Sequence, residues 1–165
     1  MVDWNPDVWN LLLRRYLRPL SIYAAQFSID EDDVVQEAFL ELFQQPTPPE
    51  NVAAWLYQVV RHKSISAIRS NSRRRQREQT KSQQNDNWFE ERPDDQLDAR
   101  QVTDQLKELP DDQREVLVLK IWSNFTFTEI AELTDSSSST CHRLYQQAID
   151  ELRKQAGLPC PNTNP

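Results

Sequence analysis

A chain of 165 residues holds one ordinary domain or two small ones, and a small one buries only about 60% of its unfolded surface. With 26 acidic residues against 19 lysines and arginines, the formal charge is -7, which excludes a protein that coats nucleic acid by bulk charge and leaves DNA contact to local patches. The only glycine is Gly157, so glycine-rich phosphate cradles are excluded too.

Cys141 and Cys160 form no CxxC pair, and His62 and His142 lie far apart, so neither a disulfide framework nor a structural zinc site is expected. The N-terminus MVDWNPDVWN lacks a basic stretch followed by an apolar run. No apolar segment approaches the roughly 18 residues of a membrane span. The chain reads as cytoplasmic, without membrane insertion, cofactor or metal.

Helical periodicity starts at once. Asn5 is placed to cap a helix with Pro6 in its first position, followed by Val8, Leu11, Leu12, Tyr16, Leu20, Tyr23 and Phe27. Pro19 predicts a kink or a division. A second helix opens at Asp30 and carries Val34/Val35, Ala38/Phe39 and Leu42/Phe43 until Pro46, Pro48 and Pro49 stop it. Asn51 caps a third, with Val52, Trp55, Leu56, Val59, Val60, Ile65 and Ile68. From Ser70 to about Arg92 the pattern lapses into a polar run, a helix tail leading to a flexible linker.

Periodicity resumes at Leu97, Val102, Leu106 and Leu109, breaks at Pro110, and returns at Val116, Leu117, Leu119 and Ile121. Thr126 and Glu129 have capping-box spacing, which predicts a helix from there to about Leu133. Asp135 to Ser139 are turn and cap residues, and Cys141, Leu144, Tyr145, Ala148, Ile149 and Leu152 then share one helical face until Gly157 and Pro159. No stretch alternates long enough for a strand. The expected fold is all-α: two small helical domains, 1–75 and 97–157, joined by a flexible linker at 76–96, the second a helix-turn-helix, with a tail at 158–165.

Three features bear on function. Asp30 to Glu41 contains six acids (Asp30, Glu31, Asp32, Asp33, Glu37, Glu41) and no base, which fits either a solvated helix favoured by its own dipole or a docking face for a basic partner. Arg61 to Lys81 holds eight bases (Arg61, Lys63, Arg69, Arg73, Arg74, Arg75, Arg77, Lys81) against Glu78 alone, a pattern suited to nucleic-acid backbone. Trp55, Tyr57 and His62 adjoin it, and aromatics beside a basic groove stack on unpaired bases, although Trp55 and Leu56 fit a core equally well. In the helix-turn-helix, Ser139, Thr140, His142, Arg143, Gln146 and Gln147 point outward with donors suited to phosphates and base edges. No nucleophile elbow surrounds Ser136 to Ser139, and no catalytic group is assigned.

DEDDVVQEAFLELF with AWLYQVVRHKSISAIRSNSRRR resembles the second conserved region of sigma factors, particularly the extracytoplasmic-function group, and LPDDQREVLVLKIWSNFTFTEIAEL with STCHRLYQQAIDELR resembles their fourth region. The resemblance implies a non-enzymatic promoter-recognition subunit of RNA polymerase, monomeric when free and held by an anti-sigma protein. It implies that Asp33, Gln36, Glu37 and Glu41 dock on core polymerase. Trp55, Tyr57, Arg61, His62, Lys63, Arg69, Arg73, Arg74 and Arg75 would melt and hold the minus-ten element. Ser139, Thr140, His142, Arg143, Gln146 and Gln147 would read the minus-thirty-five element.

The chain departs from the family pattern at several places: a short proline-rich loop from Gln44 to Asn51, His62 for the usual asparagine, Asp135 for the glycine of the turn, Ser136 and Ser138 for apolar residues, and Leu144 for a basic one. A looser second domain and weaker phosphate anchoring follow as expectations. The residues alone also fit a free-standing helix-turn-helix regulator, or a helical RNA-binding adaptor using the arginine run.

Overall fold

The computed structural model describes residues 5–27, 30–77 and 105–158, with the backbone alone for 73–77. The chain divides into two compact units, Met1–Trp88 and Phe89–Pro165. Every regular element among the described residues is helical. Most of the expected linker, the residues from Leu97 to Val102 and nearly all of the tail lie outside the described residues.

The first unit is built from α1 (Pro6–Ala25), α2 (Glu31–Gln44) and α3 (Val52–Arg77), each packed against the other two. Side-chain caps start each helix where the sequence places them. Asn5 Oδ1 accepts from the Asp7 amide at 2.9 Å, Asp30 Oδ1 from Asp33 at 3.3 Å, and Asn51 Oδ1 from Ala54 at 3.0 Å. α1 runs undivided through Pro19, so one missing backbone donor is tolerated where Leu20, Tyr23 and Ala24 are fully buried. From α2 the core receives Val35, Ala38, Phe39 and Leu42, and from α3 Leu56, Tyr57 and Val60. These are residues three and four apart on each helix, the stripe that faces a common core.

The apolar face of α1 differs from the expected one at its N-terminal end. Val8 and Leu11 are exposed, at 44% and 63%. Trp9 turns inward instead and meets Phe39 and Phe43 edge-on, with ring centroids 5.8 and 5.7 Å away. The large tryptophan ring lies against α2, so the apolar face of this turn is centred on Trp9 rather than on Val8 and Leu11.

The second unit holds α4 (Asp111–Ile121), α5 (Phe127–Thr134) and α6 (Ser138–Gln155), preceded by a helical end at residues 105–107. α4 is the central helix: Val116, Leu117, Val118 and Leu119 are buried in succession because α5 and α6 both pack on it. Arg114 pins the chain before α4, its Nη1 donating to the carbonyls of Leu109 at 3.2 Å and Lys107 at 3.4 Å. The Lys120 ammonium closes the next turn by donating to the Phe125 carbonyl at 2.9 Å.

α5 begins with the full capping box. The Glu129 amide donates to Thr126 Oγ1 at 3.3 Å, and the Thr126 amide donates to Glu129 Oε2 at 2.8 Å. The helix ends with Asp135 at φ 56°, ψ 46°, while the Ser136 amide donates to the Ala131 carbonyl at 2.9 Å. Aspartate takes the left-handed conformation there that glycine usually takes. α6 ends the same way around Gly157 at φ 67°, with Leu158 donating to Arg153 and Gly157 to Lys154.

Candidate nucleic-acid interface

Three helix faces carry the residues singled out from the sequence. On α2, alternation between buried and exposed positions follows the helical period, so Asp33, Gln36 and Glu37 are exposed and Glu41 is half-buried beside the apolar stripe. A groove of about 330 Å³ opens between α1 and α2, its wall including Leu13, Leu17, Phe39 and Leu40 and, at its rim, Gln36. Leu17 and Leu40 remain 48% and 53% exposed there. An acidic face beside an exposed apolar groove suits a partner that offers both basic and apolar groups.

The basic set on α3 divides by helical phase. His62 and Arg69 are exposed, and Trp55 and Arg61 are half-buried. Arg73, Arg74 and Arg75 continue the same helix, on the part whose side chains are not described. Tyr57 departs from the sequence reading. It is 1% exposed, with its ring 5.2 Å from that of Tyr23 on α1, so it is a core residue whose face no base can reach. Its place one residue after Leu56, on the buried side of α3, decides this; an aromatic beside a basic run carries no phase information by itself.

Lys63 is placed in an unexpected way. It turns toward α2, where its Nζ lies 2.8 Å from Glu37 Oε2 and 2.7 Å from Glu41 Oε1. The hydrogen bond to Glu37, then that to Glu41, holds its ammonium pKa above the ordinary value. A residue counted with the DNA set and two counted with the docking set thus form one cluster.

On the second unit, α5, the turn at 135–137 and α6 make the helix-turn-helix. Ser137 caps α6 by accepting from the Thr140 amide at 3.1 Å, and its hydroxyl lies 2.8 Å from Thr140 Oγ1. Thr140 is therefore half-buried and committed to the cap, whereas Ser139, His142, Arg143, Gln146 and Gln147 are exposed. Phe127 at the start of α5 supports this face. His142 and Tyr145 meet its ring edge-on, with centroids at 5.1 and 5.6 Å, and the Lys120 ammonium lies 5.0 Å from its centroid. Inside, Cys141 is buried and a free thiol, 3.1 Å from the Ser136 hydroxyl. That polar contact replaces the apolar one expected at 136. Among the described residues no His, Cys, Asp or Glu cluster is arranged to hold a metal ion, and no helix is long and apolar enough to cross a membrane.

A chain of two units whose described elements are all helical, one presenting an exposed helix-turn-helix and the other a cationic helix beside an acidic one, belongs to the class of DNA-binding transcription proteins. Sigma-70 region 2 matches residues 11–74 and Sigma-70, region 4 matches residues 99–152, so the chain belongs to the sigma-70 family. It is a sigma factor, which binds core RNA polymerase and directs promoter-specific initiation of transcription.

The search of curated proteins finds no match. Among solved structures, the fold is similar to that of the sigma factor RpoE in complex with the anti-sigma factor NepR from Bartonella quintana, with a TM-score of 0.79 at 21% identity, covering 94% of this chain and 100% of that one. It is also similar to CnrH in complex with the cytosolic domain of CnrY, with a TM-score of 0.63 at 22% identity, covering 93% of this chain and 90% of that one.

Proposed function

We propose that the chain is a non-enzymatic, cytoplasmic initiation factor of the extracytoplasmic-function group, with its tasks divided among the three faces. Asp33, Gln36, Glu37 and Glu41 on α2 dock on a basic and apolar surface of core polymerase. Trp55, Arg61, His62 and Arg69, continued by Arg73 to Arg75, hold the melted minus-ten segment. The exposed residues of α6 read the minus-thirty-five element in the major groove. The observation that carries this reading is the joint match of both sigma regions in order, with the exposed donors of α6 and the basic set of α3 on separate units. The solved complexes of RpoE with NepR and of CnrH with CnrY support an anti-sigma protein as the partner that holds the chain inactive.

In vitro transcription tests it. Core polymerase reconstituted with this chain should initiate at a defined subset of genomic promoter fragments that core alone ignores. Charge reversal at Asp33 (Asp33→Lys) should weaken holoenzyme assembly with native helicity retained. A chain that binds duplex operators unaided and leaves polymerase unchanged would instead be a free-standing regulator.

A further inference from the structure

The cluster of Lys63, Glu37 and Glu41 joins two surfaces to which the proposed function gives different partners. Lys63 belongs by sequence to the cationic set of α3, one residue from exposed His62 and under two turns from exposed Arg69. Its ammonium nevertheless lies against two carboxylates one helical turn apart on α2. Its side chain is 24% exposed, and those of Glu37 and Glu41 are 51% and 45% exposed, so both acids stay open to an incoming partner while Lys63 is held.

We propose that Glu37 and Glu41 withhold Lys63 from DNA while polymerase is absent, and that a basic polymerase surface, by taking these carboxylates, releases the ammonium to a phosphate of the melted strand. This rests on the reading of α2 as the docking helix and α3 as the DNA helix. A second cation at the same oxygens weakens the hold on Lys63 in proportion to the charge it neutralises. The flexible four-carbon stem lets the ammonium turn outward without any movement of the helices. The coupling is reciprocal: DNA that draws Lys63 away leaves two unpaired acids for polymerase, so each partner strengthens the other. Free protein would then bind single strands with one cation fewer than the holoenzyme uses.

The experiment titrates the full chain, without polymerase, against a labelled minus-ten single strand at several salt concentrations. The Glu37→Gln/Glu41→Gln variant imitates acids already engaged. It should bind about 3- to 10-fold more tightly than the wild type, and log affinity should fall more steeply with log salt by about 0.7, the value for one added phosphate contact on a single strand. Adding Lys63→Met should remove the gain. Glu31→Gln/Asp32→Asn changes the net charge equally without touching Lys63 and should produce little of it. In holoenzyme, Lys63→Met should weaken binding to a forked promoter and flatten its salt slope by a similar amount.

An equal gain in the Glu31/Asp32 control, a gain that survives Lys63→Met, or no gain at all with helicity intact would overturn the proposal. Failure of the underlying reading looks different: holoenzyme carrying Arg69→Ala would then bind the forked promoter as tightly as wild type.

Discussion

Ser64 shows how closely the core of the first unit is specified by phase. It lies on α3 one turn beyond buried Val60 and is fully buried, with its hydroxyl unpartnered. A buried polar group without a hydrogen bond costs about 1 to 3 kcal/mol, and alanine is the better helix former. Ser64→Ala is therefore expected to stabilise the protein by about 1 kcal/mol, read as a raised midpoint in urea at unchanged slope. A lowered midpoint would mean that the hydroxyl is satisfied in solution. The same phase argument removes Tyr57 from the DNA set and leaves half-buried Trp55 as the aromatic with an accessible edge.

Among the helices whose bounds lie within the described residues, α5 is the shortest at eight residues, so its N-terminal box matters more than it would on a long one. The Thr126 amide, then its hydroxyl, holds the Glu129 carboxyl below the ordinary value of 4.5. A carboxyl with a depressed folded-state pKa contributes stability that is complete above the unfolded value and disappears as pH falls through the folded one. Acid titration should thus weaken the second unit below about pH 4.5. Thr126→Ala should cost about 1 kcal/mol at neutral pH and remove that part of the acid dependence, measured by urea unfolding at pH 7 and pH 3.5. If the acid sensitivity survives unchanged in the variant, other carboxyls carry it.

α6 carries the corresponding functional prediction. Glutamine pairs with the major-groove edge of adenine, and a good contact of that kind discriminates by about 1 to 3 kcal/mol. Gln146→Ala in holoenzyme should cost that much at the best minus-thirty-five sequence and far less at scrambled ones. Binding to a library randomised over that element checks it, and an unchanged ranking of sequences would show that the helix does not read bases there.

At the scale of the whole molecule, each unit has its own set of fully buried residues: Leu20, Tyr23, Val35, Leu42 and Leu56 in the first, and Leu106, Leu117, Leu119, Ile130 and Cys141 in the second. Fragments 1–88 and 89–165, following the division of the chain, are expected to fold separately. Their circular dichroism spectra should sum to that of the intact chain at 20 °C, roughly the temperature of greatest stability for small domains. A fragment that loses its helicity would show that its core is completed by the other unit.

The sequence by itself determined the helical class, the capped starts of α1, α2, α3 and α5 and the stop at Gly157, because capping and periodicity are local and act within a few residues; the order of the two sigma regions was legible through the family resemblance of their segments. The exposed donors of α6 were legible for the same reason: one strong stripe from Cys141 to Leu152 orients the whole helix. The tertiary structure alone decided matters that depend on which helix lies opposite. Trp9 displaces Val8 and Leu11 from the buried face because Phe39 and Phe43 offer it an edge. Tyr57 is buried because Tyr23 meets it from α1, and α1 passes through Pro19 because packing outweighs one lost hydrogen bond. Lys63 turns to Glu37 and Glu41, 26 and 22 positions away in sequence, because oppositely charged side chains respond to distance in space, and no pattern along one helix encodes what the neighbouring helix presents.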